Sequence, residues 1–243
     1  PQADSTFKAA YKATSTVATG TQTDVQNLKV TNVGTINTAA ANVASNAKVM
    51  TVDIDKVETL AITTAGTANS LDLSASADVK TVTVTGEGQT EIKAVGTATT
   101  SFDASASTGN VIADLKAAAT NELTSVKTGA GNDKVTVSLD DLTSSATVAG
   151  GAGTDTLVVA STGAKTLQPT MSGFESIEFE NAANVTGAVT LSGTNVTDLT
   201  SVNVKAGTLG QDINFVNMGA NAFTVNTTGA VGGTKTISTD NTG

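Results

Sequence analysis

The feature that most constrains this chain is a recurring five-residue phrase: polar, Thr or Ser, aliphatic, polar, apolar. It stands at Glu58-Thr59-Leu60-Ala61-Ile62, Lys80-Thr81-Val82-Thr83-Val84, Asp155-Thr156-Leu157-Val158-Val159, Glu175-Ser176-Ile177-Glu178-Phe179 and Thr200-Ser201-Val202-Asn203-Val204. Related copies lie at Gln26-Asn27-Leu28-Lys29-Val30 and Thr124-Ser125-Val126. Alternation of apolar and polar residues marks a half-buried strand. Gly and small polar residues follow most copies within a few positions, as in Thr85-Gly86-Glu87-Gly88, so each strand is short and ends in a turn. Neighbouring copies are mostly twenty-odd residues apart, the spacing of a solenoid in which each strand-bearing coil stacks on the next. The fold expected is all-β, a β-solenoid or β-roll-like stack with few short helices.

Composition agrees and narrows the chemistry. The 243 residues are 39% hydrophobic but 3% aromatic, so small aliphatic side chains must build the core, which suits thin stacked layers. His, Cys and Trp are absent and all 13 basic residues are Lys. That excludes Ser-His-Asp and Cys-His catalysis, the usual zinc, copper, haem and iron-sulfur ligand sets, and any guanidinium clamp. A formal charge of -9 opposes nucleic-acid binding, and no apolar run reaches the roughly 20 residues of a membrane span. Pro1-Gln2-Ala3-Asp4 lacks the basic-then-apolar pattern of a secretory signal, which leaves export to a signal elsewhere or this chain as part of a longer one.

The expected organisation is an N-terminal segment over 1–20, helical or an assembly arm, a solenoid over 21–228, and a Gly/Thr-rich tail over 229–243. Phe7, Ala10 and Tyr11 have helical spacing, and Asp114-Leu115-Lys116-Ala117-Ala118-Ala119 reads as a second short helix. The tail reads as an edge strand or a linker.

The sharpest local signal is Gly150-Gly151-Ala152-Gly153-Thr154-Asp155-Thr156-Leu157-Val158, which satisfies every fixed position of the nonapeptide G-G-x-G-x-D-x-U-x. Thr128-Gly129-Ala130-Gly131-Asn132-Asp133-Lys134-Val135-Thr136 departs only at its first position. In such a loop glycine permits a tight turn with inward carbonyl oxygens, and the aspartate supplies charge for a hard cation. The candidate calcium ligand set is Asp133 and Asp155 with the turn residues Gly129, Gly131, Asn132, Gly151 and Gly153. Asp133 and Asp155 are one coil apart, so a cation shared between their loops is expected, with Ser138-Leu139-Asp140-Asp141-Leu142-Thr143 bulging from the intervening turn; Asp140 and Asp141 there are further candidate ligands, though a solvated loop is the simpler reading. Gly-rich turns capped by Asp also form without metal. Met218-Gly219-Ala220-Asn221-Ala222-Phe223-Thr224-Val225 keeps the turn but has Ala222 in place of the aspartate, as in a metal-free coil. Asp72 and Asp103, in two similar phrases, are also candidate cation ligands, though solvent-facing strand residues are the simpler reading.

These motifs, in a Thr/Ala/Gly-rich chain without Cys, resemble the calcium-binding repeat-in-toxin type of bacterial surface-layer protein, as in the lattice-forming S-layer proteins of Caulobacter and Campylobacter. The motif pair covers about thirty residues, while composition and the repeat phrase extend the likeness over most of the chain. The resemblance implies a β-solenoid secreted by a type I system, folding on extracellular calcium and self-associating into a homopolymer at the cell surface. A cell-surface glycan or lipopolysaccharide anchor would be a further partner. Few full nonapeptides and no recognisable C-terminal secretion signal depart from that pattern.

Two other function classes are open to such a chain. A surface adhesin or matrix module would be built in the same way but recognise another protein or a glycan. An enzyme would use paired carboxylates such as Asp53/Asp55 or Glu178/Glu180. With no Trp, one Tyr and no Arg there is little to stack on or clamp a sugar, and those pairs read more simply as a solvated strand face, so no catalytic residue is assigned. The N-x-T triplets at Asn184, Asn195 and Asn226 arise by chance in so Thr-rich a chain. The Thr content itself follows from β-propensity.

Overall fold

The computed structural model of the chain describes residues 5–10, 24–36, 48–116, 122–160, 165–180, 189–205, 213–219, 223–228 and 237–240. It divides into two units, Pro1–Asn121 and Glu122–Gly243.

The first unit holds β1 (Ser5–Ala10), β2 (Val25–Thr31), β3 (Met50–Asp55), β4 (Thr59–Ala65), β5 (Asn69–Asp72), β6 (Thr81–Gly86), β7 (Thr90–Ile92), β8 (Ser101–Ser107) and β9 (Val111–Asp114). Successive strands enter two sheets in turn, ordered β1-β3-β5-β7-β9 and β2-β4-β6-β8, and the pairings within them are parallel. That is the mark of a chain coiling in one direction through the same faces. Thr59 lies opposite Thr81 and Thr81 opposite Ser101, so each coil falls close to the interval of the repeat phrase. Alternation puts one side of each strand inside: Leu28, Ile62 and Val84 form one buried row, and Leu60, Val82 and Phe102 the next. Leu28 thus faces Ile62, not the Leu60 to which the phrase aligns it, a two-residue slip that keeps the same face inward.

The second unit holds β10 (Ser125–Lys127), β11 (Lys134–Ser138), β12 (Thr147–Ala149), β13 (Thr156–Ala160), β14 (Lys165–Leu167), β15 (Thr170–Ser172), β16 (Ser176–Glu180), β17 (Val189–Ser192), β18 (Ser201–Lys205), β19 (Ile213–Val216), β20 (Thr224–Thr228) and β21 (Ile237–Asp240). They form three parallel ladders, β11-β13-β16-β18-β20, β10-β12-β15 and β14-β17-β19-β21. The row Val135, Leu157, Ile177, Val202 runs buried through the first of these, each residue opposite the next. Burying a side chain such as Leu157 stabilises the coil by about 1.5–3 kcal/mol. The chain is therefore a parallel β-solenoid. The phrase copies at Thr156, Ser176 and Ser201 share one ladder while that at Ser125 lies in another, so the phrase marks a coil-sized interval and not one face.

Several expectations are corrected. Ser5–Ala10 is a strand, not a helix, because parallel pairing with β3 sets Phe7 beside Val52 and gives its backbone ladder partners. Tyr11 lies outside the described residues. Asp114 ends β9 and Leu115 is buried, while 117–121 lie outside the described residues. In the tail, Ile237–Asp240 pairs with β19, which settles that stretch as a strand. The insertion after β11 does not bulge away: Leu139 and Leu142 are buried and pull a short 3₁₀ turn, Leu139–Asp141, onto the core. Asp140 is exposed and paired with Lys165 Nζ at 2.9 Å, but Asp141 is buried. Glu178 is buried too, 3.6 Å from Lys134 Nζ, and so is not part of a solvated face. Asp53, Asp55 and Glu180 are half-buried.

Candidate functional site

The two glycine-rich turns stack as their 22-residue separation predicts. Ala130 and Ala152 form a parallel bridge, Gly131 N–H donates to Ala152 O at 2.9 Å, and Ala152 N–H donates to Gly129 O at 2.8 Å. Gly153 has φ +141°, and a β-carbon on it would collide with the Gly131 carbonyl, so this close approach demands glycine. The carbonyls of Gly129 and Ala152 are thus engaged from coil to coil, whereas the motif predicted that carbonyls turn inward.

Asp133 and Asp155 leave these turns at one corner, and both are buried, Asp155 at 0% exposure. Asp155 Oδ1 accepts the Asp133 N–H at 2.7 Å, and the Asp155 N–H in turn donates to Glu175 Oε2 at 2.7 Å. Asn132 Oδ1 accepts the Thr154 N–H at 3.0 Å, so Asn132 fastens the second turn. Asp155 and Glu175 therefore satisfy a backbone donor one coil back and Asn132 one coil forward. Glu175 was missed among the sequence candidates. The signal for it was the acidic residue that heads the repeat phrase: Glu58 Oε2 likewise accepts the Asp24 N–H at 3.1 Å, and Asp155 both ends the nonapeptide turn and heads a phrase. Asp72 and Asp103 act locally, each accepting the N–H two residues on.

Burial decides the electrostatics. Asp198 Oδ2 accepts the Gly173 N–H at 3.0 Å in the same manner, and being exposed it is held below its ordinary pKa by that bond and the Thr197 hydroxyl. Asp155 makes a shorter bond, 2.7 Å, yet burial pushes it up to about 6, with the charges of Asp133 and Glu175 adding to the effect. Asp141 accepts the Leu123 and Ser138 N–H groups, and burial raises it as well.

The residues present fit a hard cation. Asp155 Oδ2 is buried without a hydrogen-bond partner, and an anionic oxygen so placed is costly unless a proton or a cation faces it. Carboxylate and carbonyl oxygens, with no nitrogen or sulfur donor at hand, are the donor set that calcium takes. Among the described residues no three acidic side chains gather into a ready-made cage, so backbone oxygens and water would complete such a shell. Asp155 would hold the ion through its Oδ2, with the Asp133 N–H one coil back occupying its Oδ1, while Gly129, Gly131, Gly151 and Gly153 shape the stacked turns.

Fold and site together define a parallel β-solenoid with buried carboxylates at one corner. Compared with known protein families, curated proteins and solved structures, the chain matches none.

Proposed function

We propose that this chain is a structural subunit of a bacterial extracellular surface layer, self-associating into a lattice or filament that calcium stabilises. The observation that carries the reading is the strand at the end of a ladder. Among the described residues β2 has a strand neighbour on one side only, and its Val25, 47% exposed, is the large hydrophobic residue left most open to solvent. A strand edge of this kind templates pairing with another chain. The corner carboxylates supply the calcium dependence. Extracellular calcium modules bind at about 10⁻⁴ to 10⁻³ M, and at ten times the dissociation constant such a site adds about 1.4 kcal/mol. No helix among the described residues is long and apolar enough to cross a membrane.

Electron microscopy of the purified protein with calcium and after EDTA tests the proposal. Ordered sheets or filaments that dissolve on chelation support it, and Asp155→Ala weakens them more than Asp140→Ala. Monomers in both conditions sink it, and monomers that bind cells or glycans establish the adhesin instead.

A further inference from the structure

The two nonapeptide turns predict a cation shared between them, in the gap from Asp133 to Asp155, but the Asp155 carboxylate is oriented otherwise. Its Oδ1 faces the preceding coil and is taken by the Asp133 N–H at 2.7 Å. Its Oδ2, buried and without a hydrogen-bond partner, stands at the opposite side of the turn: a β-carbon on Gly150 would lie 2.9 Å from it and would collide with the Gly173 carbonyl oxygen of the following coil. Asp155 Oδ2 and Gly173 O therefore flank the same glycine. Gly150 N–H donates to Ser172 O at 2.9 Å, which draws the following coil close. Two oxygens that ligate one calcium ion at about 2.3–2.6 Å lie no more than about 5 Å apart, and this pair meets that limit. Glu175, anchored through Oε2 to the Asp155 N–H, brings a second carboxylate to the same gap.

Resting on the calcium reading above, we propose that the divalent cation binds one gap further along than the motif pair indicates, between the Gly150–Asp155 turn and the Gly173–Glu175 turn, with Asp155 Oδ2, Gly173 O and the Glu175 carboxylate as its protein donors. The Gly173 turn carries no nonapeptide, so a motif scan passes over half of this site. Asp133 stands across the turn from this gap, with its N–H on the other oxygen of Asp155.

Calcium titration by calorimetry separates the alternatives, on the 243-residue chain shown by circular dichroism in EDTA to be folded. Asp155→Asn abolishes binding, and Glu175→Gln weakens it by about tenfold or more, the usual loss when a ligand or its support is removed. Asp133→Asn changes it less than about threefold. The reverse order, with Asp133→Asn the more damaging, overturns this placement and leaves the calcium reading standing, whereas wild-type protein that binds no calcium removes the calcium reading itself. Where a variant does not fold, the anomalous signal of terbium(III) soaked into wild-type crystals decides. A peak between residues 150–155 and 173–175 supports the site, and one between residues 129–133 and 150–155 refutes it.

Discussion

The buried polar groups of the two units differ in charge. Among the described residues of the first unit Thr64, Asn69, Ser70, Ser76, Thr90, Thr99 and Ser107 are neutral, and the one buried acid, Glu91, is answered by the Ser70 hydroxyl at 2.7 Å and Lys93 Nζ at 2.8 Å. In the second unit the buried set is Thr128, Asp133, Asp141, Asp155, Glu178 and Ser192, most of it carboxylate. The neutral groups mostly donate to backbone carbonyls, as Thr64 does to Thr85 O at 3.1 Å and Thr99 to Val79 O at 2.9 Å, whereas Asp141 and Asp155 accept backbone N–H groups. Ser76 Oγ accepts the Ile54 N–H at 3.1 Å and donates to Val52 O at 2.8 Å, and so joins two coils with no net charge. Asp155 joins two coils with a charge that burial does not welcome. A neutral corner is complete in itself, whereas a charged one depends on the solution for a proton or a cation.

The comparison can be broken at several points. The largest effect belongs to Gly153→Val, which adds a backbone collision to the strain of φ +141°, itself about 1–3 kcal/mol for a side-chain-bearing residue. The circular-dichroism melt should fall by more than ten degrees or lose its cooperative transition, a larger loss than that of Gly219→Ala, which at φ +61° bears backbone strain but meets no atom within 4 Å. Next comes Ser76→Ala, which leaves a buried donor and a buried acceptor unmet at a cost of about 1–3 kcal/mol. That loss should be the same in EDTA and in calcium; a calcium-dependent loss would mean that the neutral corners are not self-sufficient. Asp155→Asn should be the mirror case, close to wild type in EDTA but lacking the gain in melting temperature that calcium confers on wild type.

A smaller effect is expected from pH. In calcium-free protein the folded-state pKa of Asp155 stands above the ordinary value, at about 6, so the folded chain holds that proton more tightly than the unfolded one. The stability conferred by protonation is complete below about pH 4 and is lost as pH rises through about 6, and Asp141 acts in the same direction. Thermal melts in EDTA should therefore decline by a few degrees from pH 4.5 to pH 7, and Asp155→Asn should flatten the curve. The smallest effect on stability is that of Val25→Lys on β2, within about 0.5 kcal/mol as for most surface changes. Its consequence should appear in light scattering, as reduced association.

Much of the fold was legible in the sequence because a strand repeats every second residue and a coil every twenty-odd, and both periods survive without knowledge of the partners. The helix expected at Phe7, Ala10 and Tyr11 failed because spacing over a few residues weighs little against the ladder bonds and the Phe7–Val52 alignment that β3 offers. The insertion at 138–143 departs from its expectation for a related reason: Asp140-Asp141 suggest a solvated loop, but Leu139 and Leu142 on either side have a core to reach.

By itself the sequence determined that Asp133 and Asp155 meet at one corner, since their 22-residue spacing equals a coil and stacked glycines allow no other approach. Only the tertiary structure decided what those carboxylates face. Which oxygen is taken by the Asp133 N–H, which is left beside Gly150, and that Glu175 stands on the next coil all depend on how adjacent turns are oriented across the stack. A motif specifies the local turn, but the partners of a buried carboxylate come from residues a full coil away, and their positions exist only once the coils are packed.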